Sequence, residues 1–104
     1  MENLMELRDI LNNASSLSWK DSLFLPNDKN WSLDTTCYLF DLDDLEDDEE
    51  IPQYAIENNL MYVLSISDIQ DIVDNAKQQR PQCSELELFQ AFLYYYKNDA
   101  FISF

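Results

Sequence analysis

Ten consecutive residues in the middle of the chain, 41–50, read DLDDLEDDEE and contain no Lys or Arg. The eight carboxylates are Asp41, Asp43, Asp44, Glu46, Asp47, Asp48, Glu49 and Glu50. Such a cluster suits three kinds of chemistry: acid–base catalysis by paired carboxylates, binding of a hard cation such as Ca²⁺, and attraction of a cationic partner. The rest of the sequence favours the third.

The chain has neither histidine nor glycine. Without histidine it has no imidazole base, no Ser-His or Cys-His nucleophile and no His-containing zinc site. Without glycine it has no phosphate-binding loop and no ordinary EF-hand loop. We therefore predict that the protein is not an enzyme and needs no cofactor or metal, with Ca²⁺ binding by the acidic run as an alternative.

Negative charge is concentrated in the middle of the chain. Residues 41–76 contain twelve acids and no base, which is −12 of the net charge of −15. A field of this sign repels nucleic acid and anionic membranes and attracts basic proteins. We predict a basic protein partner, no direct nucleic acid binding and no membrane association.

A helix is predicted from Ser67, where Ser67 and Gln70 have the spacing of a capping box. Asp68, Asp71 and Asp74 fall on one side of it, with neighbouring carboxylates about 5–6 Å apart. They form either a second acidic surface that continues the first or an ordinary solvated helix face. We include them in the predicted partner site.

The remaining pattern predicts an α+β fold, a mainly helical single domain over residues 1–104 with a small β-sheet and an acidic connection at 41–50. Strands are expected at 36–40 and 61–66, with 23–25 as a possible short strand. Helices are expected at 3–14, after Pro52, from Ser67, and at 85–97, where Ser84 and Glu87 form a capping box.

Aromatic residues near the acidic run are candidate anchors, because binding hot spots are rich in Trp and Tyr. Trp31 and Tyr54 are included in the predicted partner site, and Tyr38 and Tyr62 are further candidates. Trp19 is expected to pack the loop in which it lies.

No signal segment or apolar run of roughly 20 residues is found, and the two cysteines lack metal-ligand spacing. These features predict a cytoplasmic protein with free thiols.

Two segments, YVLSISDIQDIVDNAKQQ at 62–79 and YYKNDAFI at 95–102, resemble small bacterial immunity proteins of contact-dependent growth inhibition and related polymorphic toxin systems. The resemblance implies a cytoplasmic inhibitor that binds the toxic domain of an incoming effector, commonly a nuclease. A nuclease holds phosphates in a basic cleft, which a dense carboxylate surface complements.

The predicted function is thus that of an immunity protein, a monomer before binding, that neutralises a cognate basic toxin domain, expected to be a nuclease. Two alternatives stay open. One is a DNA mimic that inhibits a nucleic-acid-binding protein, and the other is an acidic assembly subunit that inhibits nothing.

Overall fold

A computed structural model describes residues 3–104, so Met1 and Glu2 of the expected domain lie outside the described part. The strands are β1 (Asn3–Glu6), β2 (Asp21–Pro26), β3 (Thr36–Asp41) and β4 (Leu60–Ser65). They form one antiparallel sheet in the order β1-β3-β2-β4. The strand that follows the first loop, β2, is therefore central, and β1 and β4 are the edges.

Within the described part of the chain, four α-helices connect and cover the sheet. They are α1 (Leu7–Asn12), α2 (Gln53–Glu57), α3 (Ile66–Gln79) and α4 (Glu85–Asn98). Two 3-10 turns, Ala14–Ser16 and Leu42–Asp44, follow α1 and β3. Among residues 3–104, no helix combines the length and apolar character needed to cross a bilayer.

One side of the sheet, called here the helical face, packs against α1, α3 and α4. It carries alternate residues of the central strands, such as Leu23 and Leu25 of β2 and Cys37 and Leu39 of β3, all buried. Phe92 of α4 is fully buried in the same core. The alternation follows from the strand geometry, in which successive side chains point to opposite sides.

The opposite side, called here the aromatic face, carries Phe24, Tyr38, Phe40 and Tyr62. Phe24 lies across from both Tyr38 and Tyr62 in the strand register, with ring centroids 5.8 and 6.0 Å away. The residues buried in this smaller cluster are Phe24, Tyr38 and Ala55 of α2. The aromatic face is thus covered by a five-residue helix, whereas the helical face is covered by three helices.

Capping fixes where the two long helices begin. The capping box of Ser84 and Glu87 at the start of α4 is confirmed, with both reciprocal hydrogen bonds present. The predicted capping box at Ser67 is wrong, because the Ser65 hydroxyl caps α3 by accepting from the Asp68 N–H. Gln70 instead donates to the carbonyls of Ala14 and Leu17, which ties α3 to the turn after α1.

The expectation of a mainly helical domain with a small sheet is wrong. Helices hold 44% and strands 22% of the described residues, and the strands form a complete four-stranded layer. The error begins at the N-terminus, where residues 3–6 form β1 and the helix starts only at Leu7. Leu4 keeps helical spacing to Leu7 and Leu11, but pairing with β3 decides its conformation.

Candidate partner-binding surface

The acidic segment, residues 41–50, is folded by two of its own carboxylates. The Asp41 side chain accepts a hydrogen bond from the Asp43 N–H at 3.0 Å and so caps the 3-10 turn. The Glu49 side chain accepts from the Glu46 N–H at 3.1 Å, and the Glu49 N–H donates back to the Glu46 carbonyl at 3.0 Å. Asp41 and Glu49 are therefore half-buried parts of the loop structure.

The other six carboxylates of the acidic segment point into solvent. They are Asp43, Asp44, Glu46, Asp47, Asp48 and Glu50. Within residues 3–104 the ion pairs are Arg8 with Asp34, Arg8 with Glu85 and Arg80 with Glu87, so no Lys or Arg of the described chain pairs with these six. Lys20 is the basic residue that lines the same depression as Asp43, but it forms no ion pair with these six, so their charges are available to a cationic partner.

Crowding of negative charge extends to the adjoining strand. The pKa of Asp21, which lies across from Asp41 in the sheet, is raised by burial and also by the charges of Asp41 and Asp44. Like charges disfavour one another's ionised form. A cation placed near this point would relieve that repulsion.

An apolar groove of about 520 Å³ lies between the acidic segment and β4. Apolar and aromatic side chains dominate its lining: Phe24, Leu42, Ile51, Leu60, Met61 and Tyr62. Phe24 is buried, whereas Leu42, Ile51 and Tyr62 are 38%, 47% and 48% exposed. Leu42 and Glu50, near the two ends of the acidic segment, both line the groove, so the groove adjoins this segment and has the Glu50 carboxylate in its wall.

On its other side the acidic segment meets Trp19, which is 63% exposed. Trp19 lines a shallow depression with Asp41, Asp43, Ser65 and others, and Leu42 borders both this depression and the groove. The expectation that Trp19 packs its loop is therefore wrong. A largely exposed Trp next to carboxylates is a feature of binding surfaces, since Trp is enriched among hot spots.

The α3 carboxylates begin at the same surface. Asp68 lies in the first turn of α3, where its N–H donates to the hydroxyl of Ser65, a residue that lines the Trp19 depression. Further along the helix, Asp71 and Asp74 are exposed and border a depression with Phe101. The structure thus places the start of α3, with Asp68, beside the Trp19 depression, and Asp71 and Asp74 continue along the helix away from it.

Trp31 and Tyr54, the aromatic residues predicted in the partner site, are both half-buried. The Trp31 indole N–H donates to the Pro26 carbonyl at 2.7 Å, and its ring packs on Tyr96 with centroids 5.1 Å apart. The Tyr54 ring packs on Tyr38, with centroids 4.7 Å apart. Trp31 therefore attaches its loop to α4, and Tyr54 attaches α2 to the aromatic face.

Leu42, Ile51 and Trp19 are members of this surface that the sequence-based site omitted. Leu42 and Ile51 could have been suspected, because they interrupt or follow a charged run where an apolar residue needs a packing reason. Trp19 gave no such signal. Among residues 3–104 no group of three or more His, Cys, Asp or Glu side chains is arranged to hold a metal ion.

The fold and this surface define a small α+β domain with an acidic segment bordered by an apolar groove and an exposed Trp. The chain belongs to the DUF7716 family, described as a domain of unknown function, whose family model matches residues 4–104. No curated protein and no solved structure matches the chain.

Proposed function

We propose that this protein is an immunity protein that binds and neutralises a cognate basic toxin domain, expected to be a nuclease. It acts in the cytoplasm, as a monomer before binding, without catalysis and without a cofactor. The observation that carries the proposal is the acidic segment, which adjoins an apolar groove and whose six solvent-facing carboxylates form no ion pair in the described chain. The resemblance of residues 62–79 and 95–102 to immunity proteins agrees with it.

The carboxylates supply long-range attraction. Electrostatic steering raises association from about 10⁵–10⁶ towards 10⁸–10⁹ M⁻¹s⁻¹ at low salt. Fast capture suits an inhibitor that must intercept a toxin before it reaches its substrate. Because exposed charges are screened beyond about 8–10 Å in physiological salt, this contribution falls as salt is added.

Affinity requires desolvated contacts in addition to charge. The groove offers apolar walls at Leu42, Ile51 and Tyr62, and Trp19 offers a broad ring on the other side of the acidic segment. Truncating Trp19 to Ala should mainly speed dissociation, because hot-spot contacts form after encounter. Neutralising exposed carboxylates should mainly slow association.

The test compares two pairs of isosteric substitutions that remove the same charge. Asp47→Asn with Asp48→Asn neutralises the acidic segment, whereas Glu6→Gln with Asp9→Asn neutralises exposed acids near the start of the chain. The control site is distant, because Glu6 pairs with Thr36 at the start of β3 and the acidic segment follows the end of that strand. The partner to be tested is a toxin domain encoded by a neighbouring gene, with association measured by stopped flow and inhibition by the nuclease activity of that domain.

We expect the first pair to slow association by about threefold to tenfold at low salt and to flatten its salt dependence. The second pair should change association much less. Equal effects of the two pairs would mean that only total charge matters, and unchanged inhibition by the first pair at all salt concentrations would remove the acidic segment from the interface. Competition with DNA for a DNA-binding protein would support the DNA mimic instead, and no binding to any neighbouring gene product would support the assembly subunit.

A further inference from the structure

The outer side of β4 is an open sheet edge. In the order β1-β3-β2-β4, β4 pairs with β2 on one side, and no other described strand pairs with it. Its sequence, LMYVLS, has no charged residue. Proteins usually protect such edges with charged side chains, prolines or short length, because an open edge accepts another strand.

The register shows which backbone groups face outward. The Asn27 N–H donates to the Asn59 carbonyl at 3.0 Å, and Leu60 lies across from Pro26, which has no N–H to donate. Hydrogen-bonded and non-hydrogen-bonded pairs alternate in an antiparallel ladder. The N–H and C=O groups of Leu60 and Tyr62 therefore point away from β2, towards the open edge.

The same two residues line the apolar groove. A strand added along β4 would have alternate side chains on the aromatic-face side, and one of these would enter the groove beside Tyr62. Glu50 in the groove lining provides negative charge next to that position. The edge thus offers backbone pairing, an apolar pocket and a carboxylate within one small region.

Charge decides which strand can be added. A second copy of this chain would bring another net charge of −15 to the same edge, so self-pairing is opposed by repulsion. The acidic segment, whose Glu50 lines the groove, instead favours a strand with Lys or Arg next to an apolar residue. Negative charge near the edge therefore replaces the protective residues that β4 lacks.

We propose that β4 accepts an extended segment of the cationic partner as a fifth strand, with an apolar side chain in the groove and neighbouring Lys or Arg residues against Glu50 and the acidic segment that it ends. This inference rests on the proposed function, because it specifies how the toxin domain is held. The recognition mode is strand addition, in which the main chain supplies affinity and the groove selects the side chain.

The first experiment uses a synthetic peptide in which Lys alternates with Val and Leu, and measures amide hydrogen exchange by NMR at low salt. In the free protein the amides of Leu60 and Tyr62 should exchange fast, because they face solvent. Saturation with the peptide should slow both by about tenfold or more. The control peptide has the same Lys positions with Ser in place of Val and Leu, and should give much weaker protection.

A pair of variants isolates the backbone group. Tyr62→Ala removes the ring and keeps the outward N–H, whereas Tyr62→Pro removes both. Proline is tolerated at edge positions whose N–H faces solvent, and a melting curve of each variant checks that it is folded. The proline variant should bind the peptide about threefold to tenfold more weakly than the alanine variant, which is the loss of one hydrogen bond.

Several outcomes would overturn strand addition while leaving the cationic partner in place. They are binding without protection of the two amides, equal protection by the Ser peptide, and equal binding by the alanine and proline variants. If the exchange of the Leu60 and Tyr62 amides slows as the protein concentration rises, in the absence of peptide, the β4 edges of two copies pair with each other instead. Binding of neither peptide at low salt would overturn both this inference and the attraction of cationic segments on which the proposed function depends.

Discussion

The order of the acidic segment depends on how firmly α2 is held to the sheet, and Tyr54→Ala tests this. A five-residue helix is too short to be stable by itself. Its anchor is the cluster on the aromatic face, where Ala55 is fully buried and the Tyr54 ring packs on Tyr38 with centroids 4.7 Å apart. Without that ring, α2 keeps only small buried side chains, those of Pro52 and Ala55, and the C-terminal end of the acidic segment loses support.

The magnitude follows from burial. Truncating a fully buried aromatic side chain to Ala lowers the free energy of unfolding by about 3–5 kcal/mol. An aromatic–aromatic contact stabilises by about 0.5–1.5 kcal/mol beyond the burial of its surface. Tyr54 is half-buried, so we expect about 2 kcal/mol. If α2 opens locally, the free energy of this opening falls by about 2 kcal/mol. The equilibrium constant for opening then rises roughly 30-fold, since each 1.36 kcal/mol is a factor of ten.

Amide hydrogen exchange measures this opening directly. The reporters are the N–H of Ile56, which donates to the Pro52 carbonyl, and the N–H of Asn58, which donates to the Tyr54 carbonyl. Both should exchange roughly 30-fold faster in Tyr54→Ala, while amides in the middle of α3 and α4 change much less. Ile56→Ala is the matched control, because Ile56 lies in the same helix and its side chain is 57% exposed.

Two results would refute the reasoning. Equal acceleration in the Ile56 control would mean that α2 opens for reasons unrelated to the Tyr54 contact. Equal acceleration throughout α3 and α4 would mean that the aromatic face is part of one cooperative unit with the helical core.

Two further predictions concern that core. Phe92→Ala should lower the free energy of unfolding by about 3–5 kcal/mol, because the ring is fully buried between Trp31 and Phe89; a loss below about 1 kcal/mol in urea titration would show that α4 is not central. Burial raises the pKa of the Cys37 thiol to about 12, so the unfolded chain releases this proton near pH 9 while the folded chain keeps it. Stability should therefore be unaffected by Cys37 below about pH 9 and fall by about 1.4 kcal/mol per pH unit above it, up to about pH 12. In Cys37→Ala the free energy of unfolding should fall less steeply with pH in this alkaline range. The same slope in the variant and in the parent protein would contradict this assignment.

Sequence patterns of a few residues predicted correctly those helices and strands whose ends depend on residues close by in the sequence. The capping box at Ser84 and Glu87 identified the start of α4, and the aromatic run at 36–40 identified β3 to within one residue. Each of these signals spans only a few residues, because a cap or a strand propensity acts within its own segment.

The same reasoning failed where pairing across the sheet determines conformation. Residues 3–6 have the spacing of a helix but form β1, because β3 offers them hydrogen bonds. The sequence predicts 23–25 only as a possible short strand, yet this segment lies in β2, one of the two inner strands of the sheet. Strand partners are distant in sequence, so periodicity within one segment cannot identify them.

The two tryptophans show the same limit at the surface. Trp19 was expected to pack its loop and Trp31 to be available to a partner, whereas Trp19 is exposed and Trp31 packs on α4. Burial of a side chain depends on which distant element covers it. No local pattern distinguished the two residues.

The sequence by itself determined the sign, size and position of the charge, because ionisation depends first on residue type: twelve acids and no base between 41 and 76. It also determined that the acidic segment is an internal connection between structured elements. Only the tertiary structure decided that Asp41 and Glu49 fold this segment while six carboxylates face solvent. It alone assembled the groove, since Phe24, Leu42, Ile51 and Tyr62 come from four separate parts of the chain that meet when β2 and β4 pair.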